Sequence, residues 1–249
     1  MNRMESASFA SPVVPHALAA NHPDVSAGTI RASGPGGLAV FAPLHYEANY
    51  SYPLLVWLHG PRDHEGQLRR IMPVLSLRNY VAVAPRGTVA EQIPGAASPT
   101  YAWGDSEDDL FLAIDRVREA IAHARTRFNV NPDRVFLGGY DCGGTMAFRV
   151  AMHEPTSFAA VMSVGGRFPN GGRPLSRINL ARKVPVFIAC GRESQRYPSP
   201  RVCEDLRLLH SAGMSVTLRQ YPGGHELSPQ ILSDMDRWMM EEISTACHA

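Results

Sequence analysis

No stretch of the 249 residues approaches the roughly eighteen or more apolar residues that a membrane-spanning helix needs. Lysine is almost missing, since Lys183 is the only one. Arginine carries the remaining positive charge, and 24 basic against 23 acidic residues leave a net charge of +1. That balance excludes the basic surface of a nucleic-acid binder or of a protein held to an anionic membrane. Cysteine is also scarce. Cys142, Cys190, Cys203 and Cys247 form no C-x-x-C pair, and no histidine cluster lies near them at metal-ligand spacing. A disulfide scaffold or a zinc site is therefore not expected, nor is a metal or cofactor. A reduced, cytoplasmic protein with free thiols is. Internal repeats and low-complexity tracts are absent. The first residues, with Pro12, Pro15 and His16 interrupting one short apolar patch and Glu5 in the basic region, make a poor signal peptide. Residues 1–27 are expected to be an arm and 28–249 a single domain. A homodimer is the default form of association, because symmetric dimers are common.

What is present is an alternation of short apolar runs and amphipathic segments. Apolar residues make up 45% of the chain, enough for a sizeable core. "GTIRA" (28–32) and "LAVFAPL" (38–44) flank the turn signal "SGPGG" and predict an opening hairpin. "LLVWLHG" (54–60), "YVAVAPRG" (80–87), "RVFLGGY" (134–140), "AAVMSVGG" (159–166), "VPVFIACG" (184–191) and "SVTLRQYPG" (215–223) predict further strands, mostly parallel and buried. A helix is expected from Ser106 to Arg127. Ser106 caps it, and Leu110, Ala113, Ile114, Val117 and Ile121 share one face. More helices are expected near 65–77, 143–153, 200–212 and 228–243. The fold class is α/β, with a twisted, mostly parallel sheet between two layers of helices and no large cap.

In such a sheet the loops after the strands carry the chemistry. "GGYDCGG" (138–144) has the strand–glycine turn–helix layout of a nucleophile elbow, G-x-Nu-x-G. The residue at its tip is Asp141. Two later strand-end loops, "CGRES" (190–194) and "PGGHE" (222–226), supply an acidic or hydroxyl group and a histidine. Nucleophile, acid, histidine is the chain order of α/β-hydrolase triads. On "VWLHG", "APRG", the elbow, "VPVFIACG" and "PGGH", residues 38–243 resemble the phospholipase/carboxylesterase family, which includes acyl-protein thioesterases.

The resemblance implies G-x-S-x-G-G at the elbow and G-x-x-D after the later strand. This chain has Asp141 where the serine belongs and Ser194 where the aspartate belongs, with His225 retained. The family also draws one oxyanion N–H from the residue after the nucleophile, here Cys142, and another from the loop after the H-G motif. That loop continues from His59 and Gly60 into Pro61, which has no N–H, so the Arg62 N–H or guanidinium becomes the candidate substitute. The family often has a tryptophan near the acyl site, and Trp103 matches it, though a core anchor is an equal reading.

Four readings follow. In the first, Asp141 and His225 form a static ion pair in the retained cleft of a non-catalytic relative that binds a small, ester-like molecule or a partner. In the second, Asp141 attacks carbon and His225 activates water against the resulting ester, with Glu193 orienting the imidazole. Dehalogenases and epoxide hydrolases of this fold place aspartate there. In the third, Cys142 is the nucleophile, but it lies one residue past the tip and reads better as an inert thiol. In the fourth, Ser194 attacks and Asp141 orients the ring. The first is preferred, with catalytic candidates Asp141, His225, Glu193 and Ser194 and binding candidates Cys142, Arg62, Gly60 and Trp103.

Overall fold

The computed structural model describes residues 31–32, 37–92, 99–171 and 174–246. The expected arm, residues 1–27, lies outside the described residues, as do the turn residues 33–36 and Cys247. The chain opens with β1 (Arg31–Ala32), β2 (Leu38–Phe41) and β3 (Tyr52–Leu58). Next come α1 (Leu68–Leu75), β4 (Val81–Pro85), β5 (Val89–Glu91) and β6 (Thr100–Ala102). The middle holds α2 (Glu107–Arg127), β7 (Val130–Tyr140), α3 (Cys142–His153) and β8 (Ala160–Val164). It ends with α4 (Ile178–Ala181), β9 (Val186–Gly191), α5 (Ser199–Ser211), β10 (Val216–Tyr221) and α6 (Pro229–Ala246).

Eight strands form one sheet in the order β1-β2-β4-β3-β7-β8-β9-β10. The pairs from β4 through β10 are parallel, and β1 and β2 run antiparallel at one edge. Alternation along β3 sends its side chains to two separate cores. Leu54, Val56 and Leu58 join the residues of α2, α3 and α5, whereas Leu55 and Trp57 face α1 and α6. All seven β3 residues are buried, as the unbroken apolar run predicts for a parallel strand covered on both sides.

The longest helix begins as its sequence dictates. The Ser106 side chain accepts from the Asp109 N–H at 3.0 Å, and the Asp109 carboxylate accepts from the Ser106 N–H at 3.3 Å. This reciprocal cap satisfies two donors that the first turn would otherwise leave open. β7 starts four residues earlier than its apolar run suggests, because Val130 pairs with Tyr52 across a register shift. The Asn131 side chain holds the intervening Asp133 N–H at 2.9 Å.

Candidate functional site

Strand β7 turns into α3 through Gly139, Tyr140, Asp141, Cys142 and Gly143. Two of those positions admit no side chain. A methyl on Gly139 would collide with the backbone of Gly143, and one on Gly143 would collide with the carbonyl oxygens of Leu58 and His59. Helix and sheet therefore approach closely, and the turn between them is forced tight. Asp141 absorbs the strain, with φ 53° and ψ −119°. Few non-glycine residues adopt such angles, and holding one there costs on the order of 1–3 kcal/mol. Its backbone is pinned on both sides. The Asp141 N–H donates to Val164 O at 2.8 Å, and its carbonyl accepts from the Thr145 N–H at 3.0 Å.

Two other strand-end loops converge on the elbow. His225 follows β10. Gly165 leaves room for its ring, since a methyl there would lie 2.6 Å from Cε1. Tyr140 lies tilted beside it at 5.5 Å between centroids and donates its hydroxyl to the His225 carbonyl at 2.9 Å. Ser194 follows β9 and is 2% exposed. The imidazole bridges the two: Nε2 lies 2.5 Å from Asp141 Oδ2, and Nδ1 lies 2.9 Å from Ser194 Oγ.

The hydrogen-bond partners select one tautomer. An ionised carboxylate can only accept, so Nε2 carries a proton toward Asp141. Ser194 Oγ already accepts the Tyr197 N–H at 3.1 Å. Its own hydrogen then has Nδ1 as its acceptor. Nε2–H toward Asp141 and Ser194 Oγ at Nδ1 give both ring nitrogens a partner.

Arg196, two residues past Ser194, completes the cluster. Its Nε is 2.7 Å from Asp141 Oδ2 and its Nη2 is 3.0 Å from Oδ1. Both carboxylate oxygens are thus engaged, one of them twice, in a bidentate, charge-assisted pair. Sequence reasoning did not single out Arg196. The signal was present, because a largely buried carboxylate needs a counter-charge and an arginine stands two residues past Ser194. The position beside Nδ1 that the second reading offered Glu193 is held by Ser194. Glu193 is exposed and its N–H is spent on Gly223 O at 3.0 Å. Ser194 occupies Nδ1 instead, because the Ser194 N–H caps back onto Gly191 O and turns its side chain inward.

The loop after β3 is equally specific. The His59 ring is buried, donates from Nδ1 to Gly60 O at 2.8 Å and accepts the Gly87 N–H on Nε2 at 2.9 Å. Burial holds its pKa below the ordinary imidazole value, so it is a neutral strut that ties two loops together. Gly60 is buried against Tyr140. After Pro61, Arg62 takes φ 55°, and its N–H donates to Glu91 Oε2 at 2.7 Å. The candidate oxyanion donor is therefore occupied by a carboxylate of the same chain. Trp103, 4% exposed, donates its indole N–H to His59 O at 3.1 Å, which makes it an anchor for this loop.

Cys142 begins α3 and is partly buried. Burial, aided by the nearby Asp141 charge, pushes its thiol up to about 11. At pH 8 only about one thiol in a thousand would be ionised, and the thiolate is the reactive form. Iodoacetamide at pH 8 is therefore expected to label the exposed Cys203 well before Cys142, with the Cys142 rate rising tenfold per pH unit up to about 11. Peptide mass mapping reads this out, and equal labelling at pH 8 would refute it.

Among the described residues no three His, Cys, Asp or Glu side chains gather to hold a metal ion, and no helix is long and apolar enough to cross a membrane.

Comparison with known proteins agrees with this architecture. Residues 48–243 match the Phospholipase/Carboxylesterase family. NocK of Nocardia uniformis subsp. tsuyamanensis is 31% identical over 141 residues, covering 56% of this chain and 39% of NocK. A probable carboxylesterase, SOBER1-like, of Arabidopsis thaliana is 23% identical over 171 residues, covering 68% of this chain and 63% of that protein. The chain thus spans less than two thirds of either relative. The crystal structure of Arabidopsis thaliana SOBER1 superposes with a TM-score of 0.64 at 20% identity, covering 78% of this chain and all of that one. With the sheet, the elbow and the matched span in agreement, this chain belongs to the phospholipase/carboxylesterase family of α/β hydrolases.

Proposed function

We propose that this protein is a non-catalytic member of its family, whose Asp141 cleft binds a small molecule instead of hydrolysing an ester. The observation that carries this reading is the engagement of Asp141 on both oxygens, by Arg196 and by His225. A serine esterase needs a hydroxyl at the elbow, a bare Nε2 facing it, and an acid on Nδ1–H. Here the polarity runs the other way, with Nε2–H directed at a carboxylate and a serine on Nδ1. The second oxyanion donor adds to the difficulty. Pro61 has no N–H, and the Arg62 N–H is taken by Glu91. Losing one such donor typically costs about 100- to 1,000-fold in turnover. Purified protein is expected to hydrolyse p-nitrophenyl acetate no faster than the Asp141→Asn variant does. Turnover that depends on Asp141 or Ser194 would refute the proposal.

A second reading, hydrolysis with Asp141 as nucleophile, draws support from the retained strained elbow and from His225 within reach of it. In that chemistry a carboxylate oxygen displaces a leaving group from carbon, and water later cleaves the enzyme ester. Arg196 counts against it, because charge-assisted bonds to both oxygens stabilise the carboxylate that would have to attack. A covalent adduct on Asp141, accumulating in His225→Ala with an alkyl halide or epoxide, would establish this alternative. No mass shift would leave the binding reading in place.

A further inference from the structure

Arg196 spends only one edge of its guanidinium on Asp141. Nε and Nη2 form the side-on pair at 2.7 and 3.0 Å. A guanidinium is a rigid plane of five N–H donors, and its end-on edge, Nη1 with the outer hydrogen of Nη2, can grip a second planar anion while the first stays bound. Among the described residues no acceptor engages that second edge. The Arg196 side chain is 60% exposed where that of Asp141 is 10% exposed, so the pair presents its positive end outward.

The guanidinium is also held in place before any ligand arrives. Tyr197, next in the chain, is fully buried, and its hydroxyl donates to Asp205 Oδ2 at 2.9 Å. Asp205 Oδ2 in turn accepts the Phe168 N–H at 2.8 Å, which ties the loop to the body of the protein. One end of Arg196 is anchored by its neighbour and the other by Asp141. A side chain already immobilised loses less entropy when it binds.

We propose that the outer edge of Arg196 anchors a subsite for a small molecule bearing a single carboxylate. This names the ligand class of the binding reading above and rests on it. The charge count favours one carboxylate over a polyphosphate. Asp141 pairs with the one guanidinium that has a free edge, so a ligand meets one unused fork there.

Isothermal titration of the full chain with hexanoate, hexan-1-ol and inorganic phosphate tests the subsite. Hexanoate is expected to bind the wild type, and hexan-1-ol, which matches its chain without the charge, to bind at least about tenfold more weakly, the scale of a lost charged hydrogen bond. Arg196→Gln is expected to abolish that preference. Arg196→Lys, which keeps the charge and the pair with Asp141 but loses the fork, is expected to keep part of it and guards against misfolding of the first variant. Equal affinity for hexanoate and hexan-1-ol, an unchanged preference in Arg196→Gln, no hexanoate binding, or phosphate binding more tightly than hexanoate would each overturn the subsite. None of these outcomes bears on whether the cleft turns over esters. Ester turnover by the wild type would refute the non-catalytic reading and leave the carboxylate result standing.

Discussion

Exchanging two residues, Asp141→Ser together with Ser194→Asp, is expected to switch on esterase turnover. The imidazole of His225 already stands 2.5 Å from the side chain at the elbow and 2.9 Å from the one after β9. The exchange puts a hydroxyl at Nε2 and a carboxylate at Nδ1. The acid then claims the Nδ1 proton, the tautomer inverts, and a bare Nε2 faces the new hydroxyl as a general base requires. A complete triad is worth about a million-fold in turnover. One missing oxyanion donor removes about 100- to 1,000-fold of that. The double variant should therefore exceed the wild type by on the order of a thousand- to ten-thousand-fold on p-nitrophenyl acetate. Asp141→Ser alone should stay near background, because a triad without a group to fix the tautomer loses about ten-thousand-fold. Adding Pro61→Gly and Glu91→Gln frees the loop after His59 and Gly60 to offer an N–H. If that fourfold variant folds and is still inert, the cleft does not hold esterase geometry, and the idea of an exchanged pair fails.

The fold was largely readable from the chain because its signals are local and strong. Every predicted strand and every predicted long helix has a counterpart within a few residues. The unbroken apolar runs of β3, β4 and β9, and that of β8 interrupted only by Ser163, leave a buried parallel sheet as the economical packing, and Ser106 with Asp109 marks the start of α2 to the residue. The β5–β6 hairpin was not foreseen. Its strands are three residues each, partly or fully exposed, and neither alternates in polarity. Tyr101 in β6 also donates its N–H to Asp63 O, a contact between segments remote in sequence. The four-residue α4 is too short to show a period.

At the site, the chain disclosed which loops meet but not how their side chains pair. Asp141, Ser194 and His225 were legible because each sits at a fixed offset from a strand end. Arg196 was not, since nothing in its spacing says that a flexible side chain will fold back onto the elbow. The same holds for Glu91, whose carboxylate reaches the Arg62 N–H across 29 positions of sequence. Both contacts, one an ion pair and one a carboxylate on a backbone N–H, are decided by three-dimensional proximity.

The elbow itself should be far less tolerant than its surroundings. Gly143→Ala is expected to destabilise the protein by about 3 kcal/mol, the upper end of the usual cost of overpacking. The added methyl meets two backbone carbonyl oxygens, those of Leu58 and His59, and neither can rotate away as a side chain would. Relief requires α3 to lift from β3, and with it the Asp141 backbone, whose carbonyl holds the Thr145 N–H in the first turn of that helix. For a chain of this size about 3 kcal/mol corresponds to a fall in Tm of roughly 6–12 °C. Gly224→Ala is the matching control. It lies beside His225, a methyl there meets nothing within 4 Å, and its φ is not in the left-handed region. It should leave Tm unchanged or raise it slightly, because alanine restricts the unfolded chain. Thermal unfolding of the two variants side by side tests whether close backbone approach, rather than the identity of residue 141, shapes this turn. Equal Tm values for Gly143→Ala and Gly224→Ala would show that it does not.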